Sequence, residues 1–224
     1  IVFMATRSHR NGEVFGVSTH IAHDAYTAYT EGSEQYRWAN DYQWESVYAT
    51  EISHLQELGQ KTATMVDNMH VTNPRQRIEL VGDLVQMIPY KISDAYDTIT
   101  THLYEGDGDC GDKTRILNSI LQNDPWNQLH GMIDCEINGG RHFVSGIDIT
   151  ELNGHINKDQ ATIISPTKQQ KQNGFEDGEY AFFDMTWNSD IGDKSRSVVG
   201  YEDNPIQLYD LADYSNKGDR APNY

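Results

Sequence analysis

Three side chains carry the chemistry most open to this sequence: Cys110, then His142, then Asp184. Cys110 lies in the glycine-aspartate stretch 106–111 and opens the segment CGDKTRILNSILQ. There Ile116, Leu117, Ile120 and Leu121 fall on one helical stripe. A cysteine at a helix start meets unpaired amides and the positive end of the macrodipole, which favour the thiolate. The thiolate is the form that attacks carbonyls. Asp107, Asp109 and Asp112 work against it, because like charge raises a thiol pKa. An adjacent imidazolium has to outweigh them. Asp109 also suits the helix N-cap.

His142 and Asp184 are the natural companions. Each interrupts an apolar strand pattern, on the face opposite that strand's main apolar set. Two adjacent antiparallel strands hold such a pair within hydrogen-bond reach. The carboxylate then fixes the imidazole tautomer and stabilises imidazolium, as in any nucleophile–base–orienter triad.

The elements that must position these groups read as α+β, helices first and an antiparallel sheet after. Residues 13–100 read as helical. Ile52, Leu55, Leu58, Thr62, Met65 and Met69 recur at three- and four-residue steps. Asn73-Pro74 marks an N-cap and first helical position, and the next helix carries Ile78, Val81, Leu84, Val85 and Ile88 up to Pro89. Beyond residue 122 the pattern alternates, as strands do. Strands are predicted over 129–137 and 141–149, joined by the turn signal Asn138-Gly139-Gly140, and over 179–187. The polar stretch 150–178 reads as an excursion loop. Cys135 shares a face with Leu129 and Ile133 and reads as core.

Gly108-Asp109-Cys110-Gly111-Asp112-Lys113-Thr114 resembles the G-x-C-x-[DE]-[KS]-[ST] helix start of the transglutaminase-like superfamily. Arg141-His142-Phe143-Val144 is similar to that family's His strand, and Phe183-Asp184-Met185-Thr186-Trp187 to its D-x-T-W strand. Val85-Gln86-Met87-Ile88-Pro89-Tyr90 resembles the segment before the Cys loop in bacterial and archaeal members. The resemblance covers roughly residues 80–190. It implies a papain-like core, with the Cys helix packed on an antiparallel sheet bearing His and Asp, and no cofactor. The chain then divides into a helical N-terminal extension (1–75), a transglutaminase-like core (76–200) and a polar tail (201–224). It also implies thiol acyl chemistry on a peptide or protein carboxamide through a thioester. The Cys110 amide and one side chain would stabilise the oxyanion. Gln86 is the candidate for that side chain; read alone it is an exposed helix residue. The gap from His142 to Asp184 is longer than the family's commonest spacing, so 150–178 looks inserted, and Asp148 and Asp190 compete with Asp184.

Composition bounds the partners. Asp and Glu number 34 against 17 Lys and Arg, and a charge of −17 repels phosphate backbones, which argues against nucleic acid. The same charge favours a cationic or amine-bearing substrate. Two cysteines allow one disulfide at most and no four-cysteine zinc site. No run approaches the roughly 18 apolar residues of a membrane span. Ile1-Val2-Phe3-Met4, before Arg7 and Arg10, reads as a junction or as the stub of a removed membrane anchor, which leaves an extracytoplasmic or tethered location open. His20 and His23 lack a third metal ligand and read as a solvated face. Glu105-Gly-Asp107-Gly-Asp109 and 210–219 lack calcium-loop spacing. The aromatics Tyr26, Tyr29, Tyr36, Trp38, Tyr42, Trp44 and Tyr48 read as helix packing before a binding platform.

The expectation is a cysteine-dependent amide hydrolase or acyl transferase. Hydrolysis is favoured over cross-linking, because a chain of this length shows no dedicated amine-acceptor site. The alternatives are a non-catalytic transglutaminase-like binding or scaffold domain, and an interaction protein whose helices at 14–70 form an oligomer interface.

Overall fold

The computed structural model describes residues 2–21, 23, 41–92, 99–127, 130–137, 140–165, 168, 177–193 and 207–209, and its architecture is mixed α+β. It opens on a hairpin. β1 (Val2–Arg7) pairs antiparallel with β2 (Val14–Thr19), from Val2↔Thr19 to Arg7↔Val14. This corrects the helical reading of 13–100 at its start. The cause is legible afterwards: Phe15, Val17 and Thr19 alternate inward, and Asn11-Gly12 supplies the hairpin turn, with Gly12 at φ 74°. The apolar opening residues Val2, Phe3 and Met4 belong to β1, and Met4 is buried in the core.

Four helices follow among the described residues: α1 (Asp41–Asn68), α2 (Pro74–Gln86), α3 (Ile99–Glu105) and α4 (Cys110–Gln122). Asn73 caps α2 as expected, its side chain accepting from the Gln76 amide at 3.2 Å, with Pro74 in the first turn. That helix stops at Gln86, three residues short of Pro89. Leu55, Leu58 and Val66 of α1 are buried within this chain. Tyr42, Trp44 and Tyr48 fall within α1. Tyr26, Tyr29, Tyr36, Trp38 and the stretch 210–219 lie outside the described residues.

The sheet runs in the order β5-β6-β4-β3-β7, every pair antiparallel. Its strands are β3 (His130–Ile137), β4 (Gly140–Asp148), β5 (Ile163–Ile164), β6 (Tyr180–Phe183) and β7 (Gln207–Tyr209). The edge strands correct two expectations. The 150–178 excursion supplies β5, after a short 3₁₀ helix at Ile149–Leu152, and the polar tail supplies β7. Strands of two and three residues are too short to show a period, so only pairing reveals them.

Ile116, Leu117, Ile120 and Leu121 of α4 are fully buried, and α4 packs on β4 and β3. Each such side chain contributes roughly 1.5–3 kcal/mol by leaving water. One continuous apolar cluster joins Met4, Phe15 and Val17 of the hairpin with Leu58, Leu84, Ile116, Ile147 and Phe183. Residues of the expected 1–75 extension thus share a core with those of 76–200. Among the described residues no helix is long and apolar enough to cross a membrane.

Candidate functional site

The site is built first from the start of α4. Asp109 caps it, one carboxylate oxygen accepting from the amides of Gly111 (2.8 Å) and Asp112 (3.1 Å). Asp112 answers by accepting from the Asp109 amide at 3.0 Å, which closes a capping box. The cap takes the second and third amides of the helix and not that of Cys110, the first residue. Cys110 itself is a free, half-buried thiol. The carboxylates expected to oppose it are each engaged. Lys91 reaches Asp107 at 2.9 Å, Asp109 serves the cap, and Asp112 is bonded by Arg115 and lies 3.2 Å from His102 Nε2. Burial and the charge of Asp112 raise the Asp109 carboxyl above its ordinary range.

Cys110, Thr114 and Asn118 recur at four-residue steps, so they lie along one side of α4. That side is stitched to β4. The Thr114 hydroxyl donates to the Phe143 carbonyl at 3.2 Å, and Ser145 donates to Asn118 Oδ1 at 2.7 Å. These bonds set the height of Cys110 against His142. The imidazole is 4% exposed, and its Nε2 donates to Asp184 Oδ2 at 2.8 Å. Cys110 acts on the same ring and favours its charged form. Burial opposes charge on the ring, yet the hydrogen bonds to Asp184 and Cys110, with the negative charge of both, push its pKa up to about 10. Cys135 stands opposite His142 in the β3–β4 register.

Asp184 follows β6 directly rather than lying mid-strand, and it is fully buried. Its Oδ1 accepts from the Thr186 amide (2.9 Å) and hydroxyl (2.7 Å), a turn that ends the strand and frees Oδ2 for His142. The two competing carboxylates are placed elsewhere. Asp148 accepts from the amide and hydroxyl of Thr150 and caps the 3₁₀ helix. Asp190 joins a separate ionic cluster, 2.9 Å from Arg10 and 3.3 Å from His9.

Gln86 needs correction. It is buried, not exposed, and its side-chain amide donates to the carbonyls of Asp184 (3.0 Å) and Ser189 (3.1 Å). Those two bonds use both amide hydrogens, so none remains for an oxyanion. Gln86 positions Asp184 instead.

Two residues of the site escaped sequence reasoning. Lys113 is 1% exposed, and its ammonium donates to the carbonyls of Gln86 (3.0 Å) and Ile88 (2.8 Å). Burial lowers its pKa to about 8, against the opposing pull of the Asp184 charge. Its visible signal was a lysine three residues into an otherwise core-facing helix. The second is Tyr90. Lys91 N donates to Gly108 O, and Gly108 N to Pro89 O, both at 3.1 Å, so residues 89–91 run beside the Cys loop with Tyr90 opposite Gly108. Its signal was position alone.

His23 Nδ1 lies 3.4 Å from the Tyr104 hydroxyl. Among the described residues no group of three or more His, Cys, Asp or Glu side chains is arranged to hold a metal ion. Comparison of the chain with protein-family models, with curated proteins and with solved structures finds no match.

Proposed function

We propose that this protein is a cysteine-dependent amide hydrolase or acyl transferase built on a papain-like, transglutaminase-like core. One observation carries the reading: a buried Asp184–His142 pair, bonded at 2.8 Å, whose ring also feels the Cys110 thiol at a helix start. The order Cys, His, Asp and the D-x-T turn at Asp184 support it further. In this reading Cys110 passes its proton to His142 and attacks as the thiolate. The thiolate adds to a peptide or side-chain carboxamide carbon, and His142 gives its proton to the leaving amine. Water, activated by the now neutral His142, attacks the thioester and restores the thiolate. A second amine in place of water gives transfer.

The test is alkylation by iodoacetamide at pH 7, with the modified residue located by peptide mass spectrometry. Cys110 is expected to react faster than free cysteine, and His142→Ala to abolish the advantage. A rate no higher than that of free cysteine, or one unchanged in His142→Ala, excludes an activated pair and leaves the non-catalytic binding-domain reading in its place.

A further inference from the structure

The thiol reading needs a second donor for the oxyanion, and with Gln86 committed to backbone carbonyls the place is open. We propose that the Tyr90 hydroxyl fills it, donating to the carbonyl oxygen of the substrate alongside the Cys110 amide. This rests on the proposed function and deepens it by naming a further catalytic residue.

Position comes first. The bridge between Tyr90 and Gly108 sets the tyrosine two residues from the nucleophile, across a two-bond clamp. Lys113 holds the same segment through the carbonyls of Gln86 and Ile88, so residues 86–91 run along the nucleophile loop. Along extended chain, adjacent side chains point to opposite sides. Lys91 turns to Asp107, which sends Tyr90 the other way.

Availability comes next. Tyr90 is 55% exposed, and its hydroxyl makes no hydrogen bond among the described residues. Its phenol also feels the site: burial first, then the charges of Cys110, Asp109 and Asp112, raise its pKa. A donor must keep its proton while negative charge builds on the substrate. Carboxylates that looked adverse to a thiolate therefore serve the hydroxyl beside it. When the thiolate adds, the carbonyl π pair moves to oxygen, and that oxygen accepts from Cys110 N–H and Tyr90 O–H. On collapse the pair returns to the carbonyl, and the amine leaves with the proton from His142.

The experiment compares two reactions of one thiol. Acylation by p-nitrophenyl acetate passes through an oxyanion; alkylation by iodoacetamide displaces iodide at a saturated carbon and forms none. Both are followed in wild type and Tyr90→Phe, with Cys110→Ser as the blank for other acetylated groups. Tyr90→Phe is expected to slow Cys110 acylation on the order of 10²-fold, the scale of losing one oxyanion donor, with alkylation unchanged. Acylation unchanged, or both rates falling together, overturns the role of Tyr90. Slow alkylation in wild type overturns the thiol reading itself, and this inference with it.

Discussion

Asp148-Ile149-Thr150 and Asp184-Met185-Thr186 are the same local device in two places. Each aspartate closes a strand, and each accepts from the amide and hydroxyl of the threonine two residues on, at 2.7–2.9 Å. Both are buried. They differ in what waits at the second oxygen and behind the turn. Asp184 meets His142 at 2.8 Å, and its backbone carbonyl is held by Gln86 and Ser189. Asp148 caps a 3₁₀ helix. The difference teaches that the turn fixes one carboxylate oxygen, and sheet register decides whether the other meets an imidazole. β4 and β6 pair from Asp148↔Tyr180 to Ser145↔Phe183, so only the strand ends beyond the last pair bring His142 and Asp184 together.

The largest effect expected tests that contrast directly. Asp184→Ala removes the imidazole's partner, and the iodoacetamide rate of Cys110 at pH 7 falls by up to about 30-fold, the ratio of a full thiolate to the few per cent ionised at an ordinary thiol pKa of about 8.5. Asp184→Asn keeps an acceptor without the charge and falls between. Asp148→Ala leaves that rate unchanged and costs about 1–2 kcal/mol of stability through the lost cap. Equal rate losses in the two alanine variants break the comparison.

A second expectation acts on the turn from behind. A Cβ on Gly82 of α2 runs into the ring of Phe183, the residue before Asp184. Gly82→Ala is therefore expected to destabilise by about 1–3 kcal/mol through overpacking, read by denaturant unfolding. Thiol alkylation slows with it as Asp184 is displaced. If the variant unfolds like wild type, Phe183 has room to move and the fixed place assigned to this turn is lost.

How far the sequence discloses this arrangement follows from the same physics. α4 and its N-cap were legible because capping chemistry and a helical stripe are local, and so was the β3–β4 hairpin with its Asn-Gly-Gly turn. The first hairpin carried an equal signal in Asn11-Gly12, but a glycine at position 16 and the short alternation of β2 masked it. Asp148 stayed open as a rival because both aspartates sit in D-x-T turns and register is not local. For Gln86 the sequence discloses the segment and not the task. Which groups a buried amide meets is set by the 184–189 segment packed against it, about a hundred residues away. Lys113 and Tyr90 depend on contacts with residues 86–88 and 108, which no period encodes.

The last contrast separates the turns by charge. The charge of Asp184 acts on Lys113, and replacing the lysine by Met removes a buried cation while leaving the residues of the Asp184 turn unchanged. Its pKa stands at about 8 in the fold against 10.5 ordinarily. Between these values the unfolded chain binds the proton and the folded chain does not, so this group makes wild type more stable as pH rises from about 8 to 10.5. His142 acts in the opposite sense. Its raised pKa gives stability that is fully present below about 6.5 and is lost as pH climbs through about 10. Wild type thus carries two opposed slopes above pH 8, and Lys113→Met carries only the falling one. Denaturant unfolding from pH 7 to 10.5 is expected to show the variant losing ground to wild type by up to about 1.4 kcal/mol per pH unit, one proton's worth. An Asp148→Ala curve runs parallel to wild type. Parallel curves for Lys113→Met mean that its ammonium is not held against its charge in the fold, and that Lys113 serves the last turn of α2 without a part in the electrostatics of Asp184.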